Sequence, residues 1–237
     1  MKKWSILSVI IGVCALALWL AIQFSSQPPA SRTAAALPPP IDLGALIAKA
    51  ERADPQAQAQ LGGLYAQGRG VTNSYAEAAK WYRRAAEQGN ADAQVGLGEL
   101  YEAGRGVPKD MDEAIKWYRL AADQGNAAAQ YTLGFLCEAG HGLPQDQAQA
   151  AKWFKLAADQ GDKLSQYDLG QRYELGVGVP VDQVEALKWF MLAAAQGQPD
   201  AAQRAEKIKS KMSREDISEA KRRAASASLH KSTTPPK

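Results

Sequence analysis

Residues 91–126 read ADAQVGLGELYEAGRGVPKDMDEAIKWYRLAADQGN, and the same pattern returns on both sides of them at a fixed step. Trp81, Trp117, Trp153 and Trp189 are 36 residues apart, as are Gly89, Gly125, Gly161 and Gly197. The glycine pairs Gly68/Gly70, Gly104/Gly106, Gly140/Gly142 and Gly176/Gly178 keep that step too. Four units follow, at 55–90, 91–126, 127–162 and 163–198. A period of this length is the mark of a repeat architecture.

Within the quoted unit, Ala93, Leu97, Gly98, Leu100, Tyr101 and Gly104 gather on one side of a helix, which we term helix A. Gly104-Arg-Gly106-Val-Pro108 then ends it with glycines free to take positive φ and a proline that cannot continue it. Asp110, with Glu113 three residues on, is an N-cap pattern for helix B, which carries Ala114, Ile115, Trp117, Tyr118, Ala121 and Ala122 up to Gly125. Gly98 and the helix B alanines let axes approach closely, and Trp117 and Tyr118 fill the space toward the neighbouring pair. A single hairpin of this size cannot bury its apolar side, so each copy leans on the next. The expected fold is all-α: a right-handed α-solenoid of four helical hairpins with capping helices, preceded by one transmembrane helix.

The quoted pattern closely resembles the Sel1-like repeat, a relative of the tetratricopeptide repeat, over 144 of the 237 residues. Departures are mild: Cys137 replaces a tyrosine in the third unit, Thr72 and Ser74 replace proline and aspartate in the first, and Ser165 replaces alanine in the fourth. The resemblance implies an adaptor in complex assembly, often in bacterial envelopes. Cysteine-rich members have been discussed as penicillin-binding or β-lactamase-like, but this chain lacks the recurring cysteine pairs.

Outward from the repeats, residues 41–54 align with a helix B that has Ala45 in place of tryptophan, a degenerate half-unit capping the first hairpin. Residues 199–225 read as C-terminal capping helices, with 226–237 as a disordered tail. Residues 25–40 form a Pro/Ala/Ser spacer. Before it, residues 6–24 (ILSVIIGVCALALWLAIQF) make a 19-residue run without a charge, close to the length that spans a bilayer. Lys2 and Lys3 place residues 1–5 in the cytoplasm and the repeats outside the inner membrane, in the periplasm. Small residues at a cleavage site are poorly matched just past the run, which favours an uncleaved signal anchor; the alternative is a removed signal peptide and a secreted or periplasmic protein.

The net charge of +3 divides unevenly: +3 over residues 1–40, −6 over 41–203 and +6 over 204–237. An acidic body opposes nucleic-acid binding, and the basic tail has no interleaved aromatics for stacking. That tail is a candidate for anionic lipid, with a solvated helix surface as the plainer reading. Two cysteines and two histidines, far apart, give no zinc set. No phosphate loop or Gly-x-Ser-x-Gly is present, and acids such as Asp110, Asp112 and Glu113 sit where helix caps belong. Cys137 keeps the register of Tyr65, Tyr101 and Tyr173, which reads as a buried apolar position, and His141 sits between turn glycines at the surface.

No cofactor or catalytic residue is expected, and binding is the stronger class. On helix A the variable positions read Ala59, Val95, Tyr131, Tyr167; Gly63, Glu99, Phe135, Gln171; and Ala66, Glu102, Glu138, Glu174. The expectation is a concave groove in which Tyr131, Phe135 and Tyr167 anchor a protein or peptide partner. Glu102, Glu138 and Glu174 would face its basic groups, with Glu99 and Gln171 alongside. The alternative is that the aromatics pack between units and the glutamates only meet water. The rival class is an envelope enzyme or enzyme accessory acting on cell-wall material, marked by a cleft with strongly shifted pKa values.

Overall fold

The structure, a computed structural model, describes residues 42–233. These residues form eleven α-helices and no strand. α1 (Leu43–Glu51) precedes four hairpins: α2 (Pro55–Gln67) with α3 (Tyr75–Glu87), α4 (Ala91–Ala103) with α5 (Met111–Asp123), α6 (Ala127–Ala139) with α7 (Gln147–Asp159), and α8 (Lys163–Leu175) with α9 (Gln183–Ala195). α10 (Ala201–Lys209) and α11 (Arg214–Thr233) follow.

Local chemistry sets these boundaries. Asp110 accepts a hydrogen bond from the Glu113 amide at 3.0 Å, satisfying a donor that the first turn of α5 leaves unpaired. Asn90, Asn126 and Asp162 do the same for α4, α6 and α8. Gly104 closes α4 in the left-handed region at φ 66°. Gly106 needs glycine for two reasons, a φ of 71° and a backbone approach so close that a Cβ would collide with Tyr75 of the preceding hairpin.

The core is shared between copies. α3 packs on α4, α5 on α6, and α7 on α8, so every hairpin is closed by the next, and α2 also touches α4. Leu61, Leu97, Leu133 and Leu169 occupy one register and are essentially inaccessible to water. Trp81 and Trp189 are buried, and the half-buried Trp117 packs back on Ala59, Ala85 and Ala86 of the first repeat. Trp153 packs in the same way on the cluster of Ala121, Ala122 and Ala129 between the second and third repeats. Tyr118 lies against Gly98, where a Cβ would come within 2.7 Å of its ring, so the glycine creates the slot for the aromatic.

A buried glutamine in each helix A adds a polar tie. Gln94 Nε2 donates to the Ala86 carbonyl at 3.1 Å, and its Oε1 accepts from Gln124 Nε2 at 2.7 Å. Gln58, Gln130 and Gln166 repeat both bonds. Three successive helices are joined through one amide with no buried polar atom of it left unpaired, which fixes register as well as energy.

At the C-terminal end, α11 packs on α9, and its Ala220 and Ile217 join Ala205 and Ile208 of α10 in one core cluster. Ala220 and Ala224 are buried, and Arg223 pairs with Glu185 at 2.8 Å. The helix runs to Thr233, past the end expected near Ala225, so the expected disorder from residue 226 is corrected as far as 233. The expected transmembrane segment 6–24, the spacer 25–40 and the N-terminal residues 1–5 lie outside the described residues. Among the described residues no helix is long and apolar enough to cross a membrane.

Candidate partner-binding site

The helix A row is not uniform, and its irregularities converge on the junction of the third and fourth repeats. Register comparison identifies two substitutions. Where Leu64, Leu100 and Leu136 stand in the first three repeats, the fourth has Arg172, only 4% exposed. Where Gln60, Gly96 and Thr132 stand, the fourth has Asp168. Neither position figures among the sequence-derived site residues.

A buried arginine is costly unless its donors are met. Arg172 is held by an ion pair with Glu138 of α6 at 2.7 Å and by hydrogen bonds to Gln147 Oε1 at 3.0 Å and the Val177 carbonyl at 3.5 Å, while its Nε is buried without a partner. Its guanidinium also lies 4.7 Å from the centroid of the Phe154 ring. Residues from α6, α7 and α8 therefore meet on one side chain, and a small cavity of about 190 Å³ opens beside it, lined by Glu138, Asp168, Gln171, Arg172, Leu175 and Val177.

Asp168 is half-buried in that cavity. Burial first, and then the nearby Glu138 carboxylate, push its pKa up to about 6, against the opposing effects of the Tyr131 hydroxyl and Arg172. Tyr131 is correspondingly pushed up to about 12 by burial and by the Asp168 charge. Among the described residues no cation lies within ion-pair distance of Asp168, and the Gln171 amide reaches it only at 3.5 Å.

The sequence-derived residues fall into three groups. Tyr131 and Tyr167 are half-buried and pack on Phe154 and Phe190 with ring centroids 5.5 and 5.6 Å apart, so both face a neighbouring helix more than solvent. Glu102 accepts from the Tyr118 hydroxyl at 2.7 Å, Glu138 pairs with Arg172, and Glu174 pairs with Arg204 of α10 at 2.8 Å. The third acidic row is thus already engaged within the chain. Glu99 is exposed overall, but protein packed around its carboxyl partly strips it of water, which raises its pKa, and the Glu102 charge adds to the rise. Phe135 is 55% exposed, one turn before Glu138 on α6, and Gln171 lines the cavity. Glu138 and Gln171 are brought together with Asp168, Arg172 and Leu175, while Glu99 and Glu102 lie on the second repeat.

A larger cavity of about 610 Å³ lies elsewhere, between Trp189 and Leu192 of α9 and Ser226 to Ser228 of α11. It marks where α11 lies along α9 in place of a further repeat. Cys137 is buried, and burial raises its thiol pKa. His141 is exposed. Among the described residues no group of three or more His, Cys, Asp or Glu is placed to hold a metal ion.

The model of the Sel1 repeat matches residues 55–90, 91–126, 127–162 and 163–198. The chain belongs to the Sel1 repeat family. Among solved structures, a Sel1 repeat protein from Oxalobacter formigenes is 39% identical with a TM-score of 0.61, covering 67% of this chain and 65% of that one. The antigen c5321 of uropathogenic Escherichia coli strains, a protective antigen displaying an SLR fold, is 30% identical with a TM-score of 0.50, covering 77% of this chain and 47% of that one. This Sel1 repeat chain therefore spans less than two thirds of either relative. A search of curated proteins finds no match. Sel1 repeat proteins generally mediate protein–protein interaction and are typically non-catalytic scaffolds.

Proposed function

We propose that this chain is a membrane-anchored, non-catalytic scaffold that holds a protein or peptide partner on the concave face formed by the helix A row, centred on the junction of the third and fourth repeats. The anchor is residues 6–24, and the repeats stand in the periplasm beyond the spacer 25–40. The observation that carries this reading is a cavity between α6 and α8 where the leucine register is broken to place charge, with the exposed Phe135 one turn before its lining residue Glu138. A large aromatic left in water one turn from a cavity-lining glutamate is available to a partner.

The test is a Phe135→Ala variant of the full chain, checked for native helicity and melting temperature, then used in crosslinked capture from intact cells. Loss of the specifically captured protein supports the reading; equal capture by the folded variant removes it. Protection of the repeats from protease in spheroplasts would contradict the outward orientation.

One observation favours an enzyme acting on cell-wall material: Asp168, raised to about 6, near a second carboxylate. Against it, Glu138 is locked to Arg172, and the cavity is smaller than the roughly 300–1,000 Å³ usual for small-molecule sites. Release of soluble fragments from purified peptidoglycan by the native chain, abolished in Asp168→Asn, would establish the enzyme and remove the scaffold reading.

A further inference from the structure

Within the chain, the junction of the fourth repeat with the C-terminal cap acts as a template for the junction before it. One period after Asp168 comes Arg204, in α10. Its guanidinium bonds Glu174 at 2.8 Å and the Tyr167 hydroxyl beside it. Glu174 and Tyr167 are in turn the register counterparts of Glu138 and Tyr131. The fold therefore accommodates a cation between a tyrosine and a glutamate at this spacing, and the last junction supplies that cation itself.

At the third/fourth junction the corresponding residue is an acid. Arg172 answers Glu138 from below, through a position that is leucine in the other repeats, and Asp168 is left with a tyrosine hydroxyl and a distant amide. Glu138, Asp168 and Arg172 together leave the cavity one negative charge in excess. The apolar surface at its rim is Leu175, 64% exposed, with Phe135 one turn from Glu138 on the adjacent helix A.

We propose that Asp168 anchors a lysine or arginine side chain of the protein partner, which enters the cavity with its aliphatic stem along Leu175 and Phe135 and its charged head against the Asp168 carboxylate. This rests on the scaffold reading and names the chemistry of its partner. A long basic side chain fits both parts of the site, since its stem buries against apolar surface while its head keeps polar company. A metal ion fits poorly, because the second carboxylate is already committed to Arg172 and no third ligand is near. The raised Asp168 pKa agrees with a carboxylate lacking its cation, and a bound ammonium or guanidinium brings it down again.

The probe is a library of random dodecapeptides displayed on phage, selected on the purified full chain, with winners remade with citrulline or acetyl-lysine at each basic position. The expected result is one basic position common to the winners. Neutralising it, or changing Asp168→Asn, weakens binding by roughly tenfold or more. In the Asp168→Asn variant the same neutralisation has no further effect, the coupling of a double-mutant cycle. Winners that depend on Phe135 but are indifferent to Asp168 and to basic residues overturn this inference and leave the scaffold reading in place. Winners indifferent to Phe135 and Asp168 alike, or no winners, overturn both.

Discussion

Replacing Asp168 with asparagine removes a charge whose burial is unfavourable in the folded chain while keeping the shape and an acceptor for the Tyr131 hydroxyl. The folded-state pKa is raised from 3.8 to about 6. Between about pH 4 and 6 the folded protein retains a proton that the unfolded chain has released. The stabilisation from the neutral group is therefore complete below about pH 4 and lost as pH rises through 6. Carrying the carboxyl that far corresponds to roughly 3 kcal/mol at most, and water reaching the half-buried group reduces this to about 1 kcal/mol. Asparagine is neutral at every pH, so the variant should exceed the native chain by about 1 kcal/mol at pH 7.5 and match it at pH 4. Paired urea denaturation curves at each pH measure the difference directly, and pairing cancels the titration of acids such as Glu185, which bonds to Lys188 and Arg223 hold low despite burial. A destabilised variant at pH 7.5, or a difference independent of pH, refutes the unpaired, buried carboxylate. A gain in stability with a loss in peptide binding would separate a site kept for function from one kept for folding.

Arg172→Leu restores the leucine of the other repeats, and the Glu138 it abandons is 42% exposed and can be hydrated; the thermal midpoint should hold or rise, and a fall equivalent to more than about 2 kcal/mol would show that the arginine organises the junction. Gly98→Ala places a Cβ within 2.7 Å of the buried Tyr118 ring and should cost about 1–3 kcal/mol by chemical denaturation; a neutral result would mean that the slot is not filled as described. Gln94→Leu removes the side-chain bonds to the Ala86 carbonyl and from the Gln124 amide, though the first still accepts from Gly89 and the second still donates to Leu120, so it should cost about 1 kcal/mol, with faster hydrogen exchange at the α3–α4 contact; unchanged exchange there contradicts the glutamine tie.

The hairpins were legible because every copy repeats the residues that make them: glycines for the turns, aspartate before helix B, tryptophan and alanine on its buried side. The glutamine tie was equally present, with Gln58, Gln94, Gln130 and Gln166 in register, yet polar residues in a helix read as surface until a carbonyl is found opposite them. The site was legible only in part. Variable positions pointed to the helix A row, on which Phe135 is exposed. Tyr131 and Tyr167 turned toward Phe154 and Phe190, because a ring beside another ring buries more surface than one facing water. Glu102, Glu138 and Glu174 were read as free because their partners, Tyr118, Arg172 and Arg204, come from other helices. Arg172 was missed because the search followed rows that varied throughout, whereas it is a single break in a leucine row; Asp168 lies in a varied row of small and polar residues, where nothing in the sequence marks it until Tyr131 and Glu138 are found beside it.

That the helix A row receives the partner can be measured with a photo-crosslinking residue at position 135 or at position 156, each in the full chain in intact cells. Phe135 is 55% exposed on helix A, and Leu156 is a comparably exposed apolar residue, at 47%, on helix B of the same repeat. A discrete adduct from 135 and none from 156 is the predicted result. An adduct from 156 alone would place the partner on the opposite helix row and contradict the account.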